Sequence, residues 1–322
     1  MKRTFWFAII LIYVFSNLSA SGKLEDKLVQ FAEDNSKKYI KPLVTAFGTN
    51  LNSGFYQTAK VLAPFRFGVS MSGMLAFVPQ DEKTFMALSP SVTYEGNEVY
   101  IYDPYEIKSA TIFGNKGGTF EEFNPDLIND PDFDFGNIET TLKLPNGGGL
   151  DYVPLLTPQI NVGLPYGNEI MIRAFPSYEV NEDTGEISFW GVGLKHSIDQ
   201  YLPGVVPIDL AIQGVYQYIK ITDVMTFNSY AFNAQISKKL MMFTFYGGLQ
   251  YENCTMKADY KTEFYNYDIS AYDDLRIKYT ITGDNNFRAT IGARYSFLVF
   301  RMFVDYTLAK YQVLHMGLGL SF

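Results

Sequence analysis

The 322-residue chain combines many aromatic residues with a mean hydropathy close to zero, so its apolar residues must be spread along the chain and not gathered into long spans. Tyr and Phe supply 24 and 27 residues, and aromatic residues make up 16% of the chain. A net charge of −8 argues against the basic stripe that nucleic-acid binding requires, so no nucleic-acid partner is expected. The single cysteine excludes an internal disulfide.

The amino terminus has the residue order of a secretory signal. Lys2 and Arg3 precede an apolar run at 5–15, and small and polar residues follow that run. The run is shorter than the roughly 20 apolar residues that a membrane-spanning helix needs, so cleavage near residues 20–22 is predicted. Residues 1–22 are therefore assigned to a signal peptide that exports the chain.

Residues 23–63 predict an amphipathic helical segment. Apolar residues recur at spacings of mostly three and four with Lys and Glu between them, Pro42 is expected to kink or divide the helix, and Gly48 supplies a stop. Two arrangements fit: a helix packed on the periplasmic rim of a barrel, or a hatch that enters the barrel lumen. The residues expected to form the hatch are Leu28, Phe31, Tyr39, Leu43 and Phe47.

Residues 64–322 alternate apolar and polar side chains over many short segments, which is the pattern of strands with two unlike faces. Eleven candidate strands after residue 155 and three before it give a total of about 14. The alternatives 12 and 16 stay open, because the hairpin at 255–282 also fits a loop that stands above the membrane. The predicted fold class is all-β: an antiparallel transmembrane β-barrel of about 14 strands (12 to 16) with an N-terminal amphipathic helical segment.

The alternation breaks at residues 103–149, where acidic residues, Pro, Gly and Asn dominate. Barrels of this kind have short periplasmic turns and long external loops, so we predict that this stretch is external. Four aspartates within it, Asp126, Asp130, Asp132 and Asp134, have the ligand type that calcium prefers. They lack the glycine and the terminal glutamate of an EF-hand loop, and no metal site is predicted.

Alternation also places charges of both signs on the inner face of the predicted barrel. A dry core would hold so many charges only at a large desolvation cost, whereas a wet lumen can hold them. Two interpretations are open: a surface that selects a solute, or ion pairs that brace a narrow or plugged barrel. The polar residues predicted to face the lumen are Arg66, Arg173, Asp209, Arg288, Arg294, Arg301, Asp305 and His315.

The last eleven residues alternate most regularly, and the chain stops on an aromatic residue of the apolar face. A closing strand of this kind resembles the signal that outer-membrane barrels present to the barrel-assembly machinery. The residues that carry the resemblance are Leu318, Leu320 and Phe322. It implies the outer membrane of a Gram-negative bacterium as the location, with outer-membrane lipid and the assembly machinery as partners.

Longer motifs resemble an uncharacterised family of bacterial outer-membrane barrels, a domain of unknown function. They are AFVPQDEKTF at 76–85, GVGLKHSIDQYLP at 191–203, TFYGGLQY at 244–251 and VDYTLAKYQVLHMGLGLSF at 304–322. The predicted architecture is also similar to the long-chain fatty-acid transporter family, in which a hatch occupies the lumen. That similarity implies passive passage of a small hydrophobic molecule.

Three functions are open on this evidence. The expected one is passive transport of small hydrophobic molecules past the N-terminal hatch, which Pro90, Pro158 and Pro176 favour because a proline removes a ladder hydrogen bond and can open the wall. The alternatives are a closed structural or interaction barrel that acts through its external loops, and an outer-membrane enzyme. Only His196 and His315 are available for a catalytic triad, and no phosphate loop, metal cluster or cofactor motif occurs, so neither an enzyme nor a cofactor is predicted.

Overall fold

The computed structural model describes residues 33–131, 133, 135, 138–179, 186–202, 207–221, 225–266 and 271–322. The predicted signal peptide at 1–22 and the hatch residues Leu28 and Phe31 lie outside these ranges. The chain forms two compact units, whose described residues are 44–77 and 152–322 in the first and 33–43 and 78–151 in the second. No helix among the described residues is long and apolar enough to cross a membrane.

The first unit is a closed antiparallel β-barrel. Its eleven described strands are β1 (Phe67–Phe77), β2 (Tyr152–Leu164), β3 (Asn168–Glu179), β4 (Glu186–Ser197), β5 (Asp209–Ile221), β6 (Met225–Leu240), β7 (Phe243–Asn266), β8 (Ala271–Thr282), β9 (Phe287–Phe297), β10 (Phe300–Leu308) and β11 (Val313–Ser321). Ten of them form the ring in the order β1-β2-β3-β4-β5-β6-β7-β9-β10-β11, and β11 pairs with β1 to close it. Strand β8 lies outside the ring because it pairs only with the second half of β7.

The prediction of about 14 strands is therefore wrong, and each surplus strand has a physical explanation. The segments near 85–95 and 99–102 do form strands, but these pair locally in the second unit. The segment at 255–265 continues β7, which runs for 24 residues, and its hairpin partner β8 does not reach the ring. Alternation identifies a strand but does not say which sheet it joins.

The outer face of the barrel is apolar and the inner face is polar, the reverse of a soluble protein. Large apolar side chains project outward from every ring strand, and buried polar ones alternate with them. Outward residues between the two ends include Val69, Ile160, Ile172, Val192, Ile212, Phe232, Leu249, Ile291, Val304 and Met316. This alternation is what the sequence predicted for a barrel.

The two ends of the barrel differ in their connections. At the end that we call the Phe322 end, the backbones of Phe67 and Phe322 exchange hydrogen bonds. Short turns at 165–167, 241–242 and 298–299 join neighbouring strands there. Met241 and Leu298 have φ values of 55° and 52°, as the primed turns of tight hairpins require. The opposite end, the Gly283 end, has turns at 283–286 and 309–312 and the ends of β1 and β2 that residues 78–151 connect.

One helix, α1 (Glu33–Leu51), belongs to both units, with residues 33–43 in the second and 44–51 in the first. It continues through Pro42 and past Gly48, so the helix is neither divided at the proline nor stopped at the glycine, as the sequence had suggested. In the second unit, Asn35 exchanges two side-chain hydrogen bonds with the backbone of Leu88 (2.7 and 2.9 Å), and the Tyr39 hydroxyl donates to the Asn146 carbonyl at 2.8 Å. Burial raises the pKa of Tyr39 to about 12.

The second unit is built from short paired strands. A helix of four residues, Pro125–Ile128, and a 3₁₀ turn, Gln80–Lys83, accompany them. Thus residues 103–149, predicted as an external loop, carry regular structure of their own. Asp132 and Asp134 lie outside the described residues, and no three potential metal ligands come together among those described. The strand pairs are Thr84–Leu88 with Glu106–Ala110, Ser91–Tyr94 with Asn97–Tyr100, Tyr102–Asp103 with Glu122–Phe123, and Thr119–Phe120 with Leu142–Lys143.

Candidate functional site

The lumen of the barrel contains the chain's own residues 44–62, which we call the plug. The plug starts at the Gly283 end, where the Asp284 backbone N–H donates to the Thr45 hydroxyl at 3.1 Å. It finishes at the Phe322 end, where the Leu62 N–H donates to Glu169 at the start of β3 at 2.8 Å. The plug therefore runs the length of the barrel, with the last two turns of α1 in its first half and an irregular chain in its second.

Two glycines let the plug lie directly against the wall. A Cβ atom on Gly48 would collide with the Cβ of Cys254 in β7. Gly54 has a φ of 68°, and a Cβ atom there would lie 2.5 Å from His315 Nε2 in β11. Glycine is the residue that permits both the close approach and the left-handed backbone. Next to Gly48, Phe47 packs on Phe227, with ring centroids 4.9 Å apart.

Two arginines of the wall hold the C-terminal end of α1. Arg173 in β3 donates to the Leu51 carbonyl at 3.1 Å and to the Ser53 carbonyl at 2.9 Å, and Arg288 in β9 donates to the Thr49 carbonyl at 2.9 Å. A helix leaves its last carbonyls unpaired and has a partial negative charge at this end. Because α1 has no basic residue in its last turn, the wall supplies the cations that its own sequence lacks.

The two arginines differ in the partners that the barrel gives them. Arg288 forms a buried ion pair with Glu252, whose carboxylate also accepts from Asn285 at 2.6 Å. Arg173 has a relative exposure of 0% and forms no ion pair with a described residue. Its other acceptors are the side-chain amides of Gln159 at 2.8 Å and Gln217 at 3.4 Å, and its guanidinium lies 4.6 Å from the centre of the Phe55 ring.

Side-chain amides of the wall bind the backbone of the irregular half of the plug. Gln217 donates to the Leu51 carbonyl and Gln250 to the Asn52 carbonyl, each at 2.8 Å, and Gln159 donates to the Phe55 carbonyl at 3.1 Å. These carbonyls have no strand or helix partner, and burial without a partner would cost about 1–3 kcal/mol each. The wall therefore replaces water as the plug's hydrogen-bonding environment. Sequence reasoning did not single out these glutamines or Glu252, although alternation places them on the inner face.

The plug is also held near the Phe322 end. The Ala59 N–H donates to the Ser237 hydroxyl at 3.0 Å, and that hydroxyl donates to Asp209 at 3.1 Å. Glu169 pairs with Lys195 at 3.1 Å, and both side chains are almost fully buried. A small pocket of about 70 Å³ adjoins this region, between the plug and the inner wall.

A second buried cluster joins β7, β10 and β11. Asp305 accepts from His315 Nδ1 at 2.5 Å and from the Tyr246 hydroxyl at 2.7 Å. A carboxylate, an imidazole and a hydroxyl thus meet, which are the group types of a catalytic triad. His315 is fully buried behind Gly54, however, whereas a catalytic group must reach its substrate.

The predicted lumen residues fall into three groups. Arg173, Arg288, Asp305 and His315 are buried inside the barrel. Asp209, Arg294 and Arg301 are partly exposed near the Phe322 end, where Arg301 donates to the Leu298 carbonyl at 2.7 Å. Arg66 is exposed in the turn before β1, so alternation does not apply to it and its predicted lumenal position is corrected.

The other predicted residues are placed as follows. Tyr39 and Leu43 are buried and belong to the second unit, while Phe47 belongs to the plug. Leu318, Leu320 and Phe322 are all exposed on the outer face of the barrel, Leu320 the least at 36%. Pro158 lies within the uninterrupted β1–β2 ladder opposite Met71. Pro176 lies in the register shift of the β3–β4 ladder, and Pro90 belongs to the second unit.

Comparison with protein families gives one match, which extends over the whole chain. A family of unknown function, DUF6588, matches residues 1–322. The chain belongs to this family. The expected relationship to a family of unknown function is thereby confirmed, whereas the similarity to long-chain fatty-acid transporters stays a prediction. No curated protein matches the chain.

Several solved structures are similar over most of their length but at low identity. A loop-deletion mutant of OmpT, an outer membrane protein of Vibrio cholerae, is 9% identical, with 80% of this chain and 98% of that chain covered and a TM-score of 0.25. Ail, the attachment invasion locus protein of Yersinia pestis, is 10% identical, with 80% and 99% covered and a TM-score of 0.20. The translocator domain of the autotransporter NalP from Neisseria meningitidis is 9% identical, with 81% and 89% covered and a TM-score of 0.25. Similarities at this level do not bear on what the chain does.

Proposed function

We propose that this protein is a barrel of the bacterial outer membrane whose lumen is closed by its own plug, and that it acts as an interaction protein through the second unit. The apolar outer face supports the membrane location. Aromatic pairs near both ends support it further, with Phe243 and Tyr295 centred 5.3 Å apart near one end and Tyr251 and Phe287 5.1 Å apart toward the other. The corresponding partners are outer-membrane lipid and the barrel-assembly machinery. That machinery would recognise Leu318, Leu320 and Phe322.

The orientation follows from the lengths of the connections. Barrels of this class have short turns on the periplasmic side and longer segments outside. The Phe322 end has the short turns at 165–167, 241–242 and 298–299 and one longer connection at 198–208, whereas the far longer segment 78–151 leaves from the ends of β1 and β2 at the Gly283 end. The Phe322 end is therefore assigned to the periplasm.

The observation that carries the closure is the attachment of the plug to Arg173 and Arg288. Removing the plug would leave both buried guanidinium groups without the carbonyls that accept from them. Water would replace the carbonyls in an emptied lumen, but a hydrogen bond to a charged group contributes about 1.5–3 kcal/mol net of this exchange, so moving the plug aside costs free energy. A segment held in this way fits a fixed part of the barrel better than a hatch that opens with each solute.

Single-channel recording in planar bilayers tests the closure. The unmodified protein is expected to give no steady conductance. Arg173→Met removes donors from the wall and Gly54→Leu forces the plug away from His315, so both variants should give intermittent openings. Lys278→Gln, which alters only an exposed ion pair with Asp259, serves as the control. A steady conductance from the unmodified protein, or silence from both folded variants, contradicts the proposal.

Passive transport of a small hydrophobic molecule is the second candidate, and the outer wall offers one observation in its favour. An apolar groove of about 860 Å³ lies around the small residues Gly214, Ala234 and Ala289, and another of about 770 Å³ adjoins Pro158 and Gly319. Ala234→Phe would fill the larger groove. It should abolish uptake of a hydrophobic fluorophore into vesicles if transport uses that groove, with Ala76→Gly as a control on the inner face.

A further inference from the structure

We infer that the barrel carries a segment of its own chain across the membrane inside the lumen: helix α1 leaves the lumen before Val44 at the Gly283 end, opposite the end at which Phe322 finishes the last strand. The direction in which the plug runs through the lumen is argued from contacts within the first unit. The side of the membrane that each end faces rests on the proposed function.

Contacts at the Gly283 end fix the start of the plug. A Cβ atom on Gly283 would lie 3.2 Å from the Thr45 Cα, and the Asp284 N–H donates to the Thr45 hydroxyl. One turn of helix later, Gly48 packs on Cys254, whose carbonyl accepts from the Gly283 N–H at 2.9 Å. The first residues of the plug are thus bound to the turn and strand at this end.

Contacts at the Phe322 end fix where the plug finishes. Leu62 is bound to Glu169, and three residues later the Phe65 N–H donates to the Gly163 carbonyl at 2.9 Å. Strand β1 then begins at Phe67, next to Phe322, and returns through the wall toward the Gly283 end. The plug and β1 therefore run in opposite directions, the plug inside the lumen and β1 in the wall, and the chain reverses at 63–66.

The connectivity of the chain determines the end at which the helix before Val44 leaves the lumen. The ring is closed by hydrogen-bonded pairs on both sides of β1, so a segment inside it has only two exits. The exit at the Phe322 end is taken by the connection to β1, and the chain before Val44 is left with the other. With the Phe322 end in the periplasm, that chain is on the cell surface. It reaches the cell surface through the lumen of the barrel, so the strands must close around it during assembly.

Cysteine labelling of intact cells tests the sidedness. Single variants Asp34→Cys, Lys310→Cys and Met241→Cys place a thiol before the plug, in a turn at the Gly283 end and in a turn at the Phe322 end; all three positions are exposed. A membrane-impermeant maleimide should label the first two in intact cells and the third only after the outer membrane is permeabilised. The parent protein, whose Cys254 is buried, gives the background.

The outcomes separate the inference from the proposed function. If Asp34→Cys behaves like Met241→Cys while Lys310→Cys is labelled, the inference is overturned and the membrane location stands. If Lys310→Cys and Met241→Cys are labelled alike in intact cells, the membrane location fails. Heat-modified gel mobility of each variant establishes that it has folded.

A disulfide test addresses the threading without a membrane. Thr45→Cys combined with Gly283→Cys should cross-link in the purified protein, because a Cβ atom on Gly283 would lie 3.2 Å from the Thr45 Cα, which brings the two side chains within reach of a disulfide. Thr45→Cys combined with Met241→Cys should not, since these positions are at opposite ends. Cross-linking of the second pair, or failure of the first in folded protein, overturns the threading.

Discussion

At the residue scale, Arg173 links the wall to the plug more directly than any other predicted site residue. Its guanidinium is completely buried, and its acceptors are carbonyl oxygens of the plug and two side-chain amides of the wall. We expect Arg173→Met to lower the free energy of unfolding by about 2–4 kcal/mol, since at least two buried acceptors lose their donor. Arg173→Lys should recover only part of this, because an ammonium cannot reproduce the planar fork. Denaturant unfolding in detergent micelles or vesicles measures both.

The matched control for Arg173 is an exposed cation of the same barrel unit. Lys278 pairs with Asp259 at 3.3 Å, with more than half of its side chain exposed, and Lys278→Met should change stability by no more than about 0.5 kcal/mol. An Arg173→Met effect as small as that of the control would mean that water replaces the lost donor, and the closure argument would fail with it.

The sequence could predict which side chains face inward but not what they bind. Period-two alternation placed Arg173, Arg288 and Asp305 on the inner face of a wet lumen, and the structure has them on that face but buried. It gave no sign that carbonyls of the plug would accept from the two arginines, since those partners are 120 residues or more away in the chain. Arg66 was assigned to the inner face because the alternation was extended to the residue before β1 begins.

At the element scale, the close packing of α1 against β7 depends on Gly48. In an exposed helix Gly→Ala stabilises by roughly 1 kcal/mol, but here the added methyl would collide with Cys254. We therefore expect Gly48→Ala to destabilise the protein by about 1–3 kcal/mol, the usual cost of overpacking. The sign of the change, read from the thermal unfolding midpoint, decides between the two effects.

A companion substitution separates the collision from other causes. Cys254→Gly removes the methylene that Gly48→Ala would strike, so the double variant should be more stable than the sum of the two single changes predicts. Gly73→Ala, where the nearest atom to an added Cβ is 3.7 Å away, is the control for a glycine of the wall. Simple additivity in the double variant would mean that the plug does not pack on β7.

The strand count shows where sequence patterns stop being informative about elements. The inner and outer faces of ring strands such as β5 and β10 were predicted correctly, because one face meets polar groups and the other does not. The short strands in 84–110 have the same alternation, but they satisfy their backbone in separate two-stranded sheets. Membership in the ring depends on long-range pairing, which local periodicity does not encode.

At the scale of the whole molecule, the apolar outer face predicts how the barrel responds to a charge at different depths. Ile291 is 70% exposed and lies midway along β9, between Phe287 and Tyr295, whose rings belong to the aromatic pairs near the two ends. If lipid surrounds this face, Ile291→Arg should cost about 2–4 kcal/mol, as it does at a bilayer midplane. Leu298→Arg is matched in exposure at 79% but lies in a turn at the Phe322 end, where the cost should fall to about 0–1 kcal/mol. Equilibrium folding into lipid vesicles measures the two values. Equal small costs would mean that water and not lipid covers the middle of the barrel, because only a bilayer makes the penalty depend on depth.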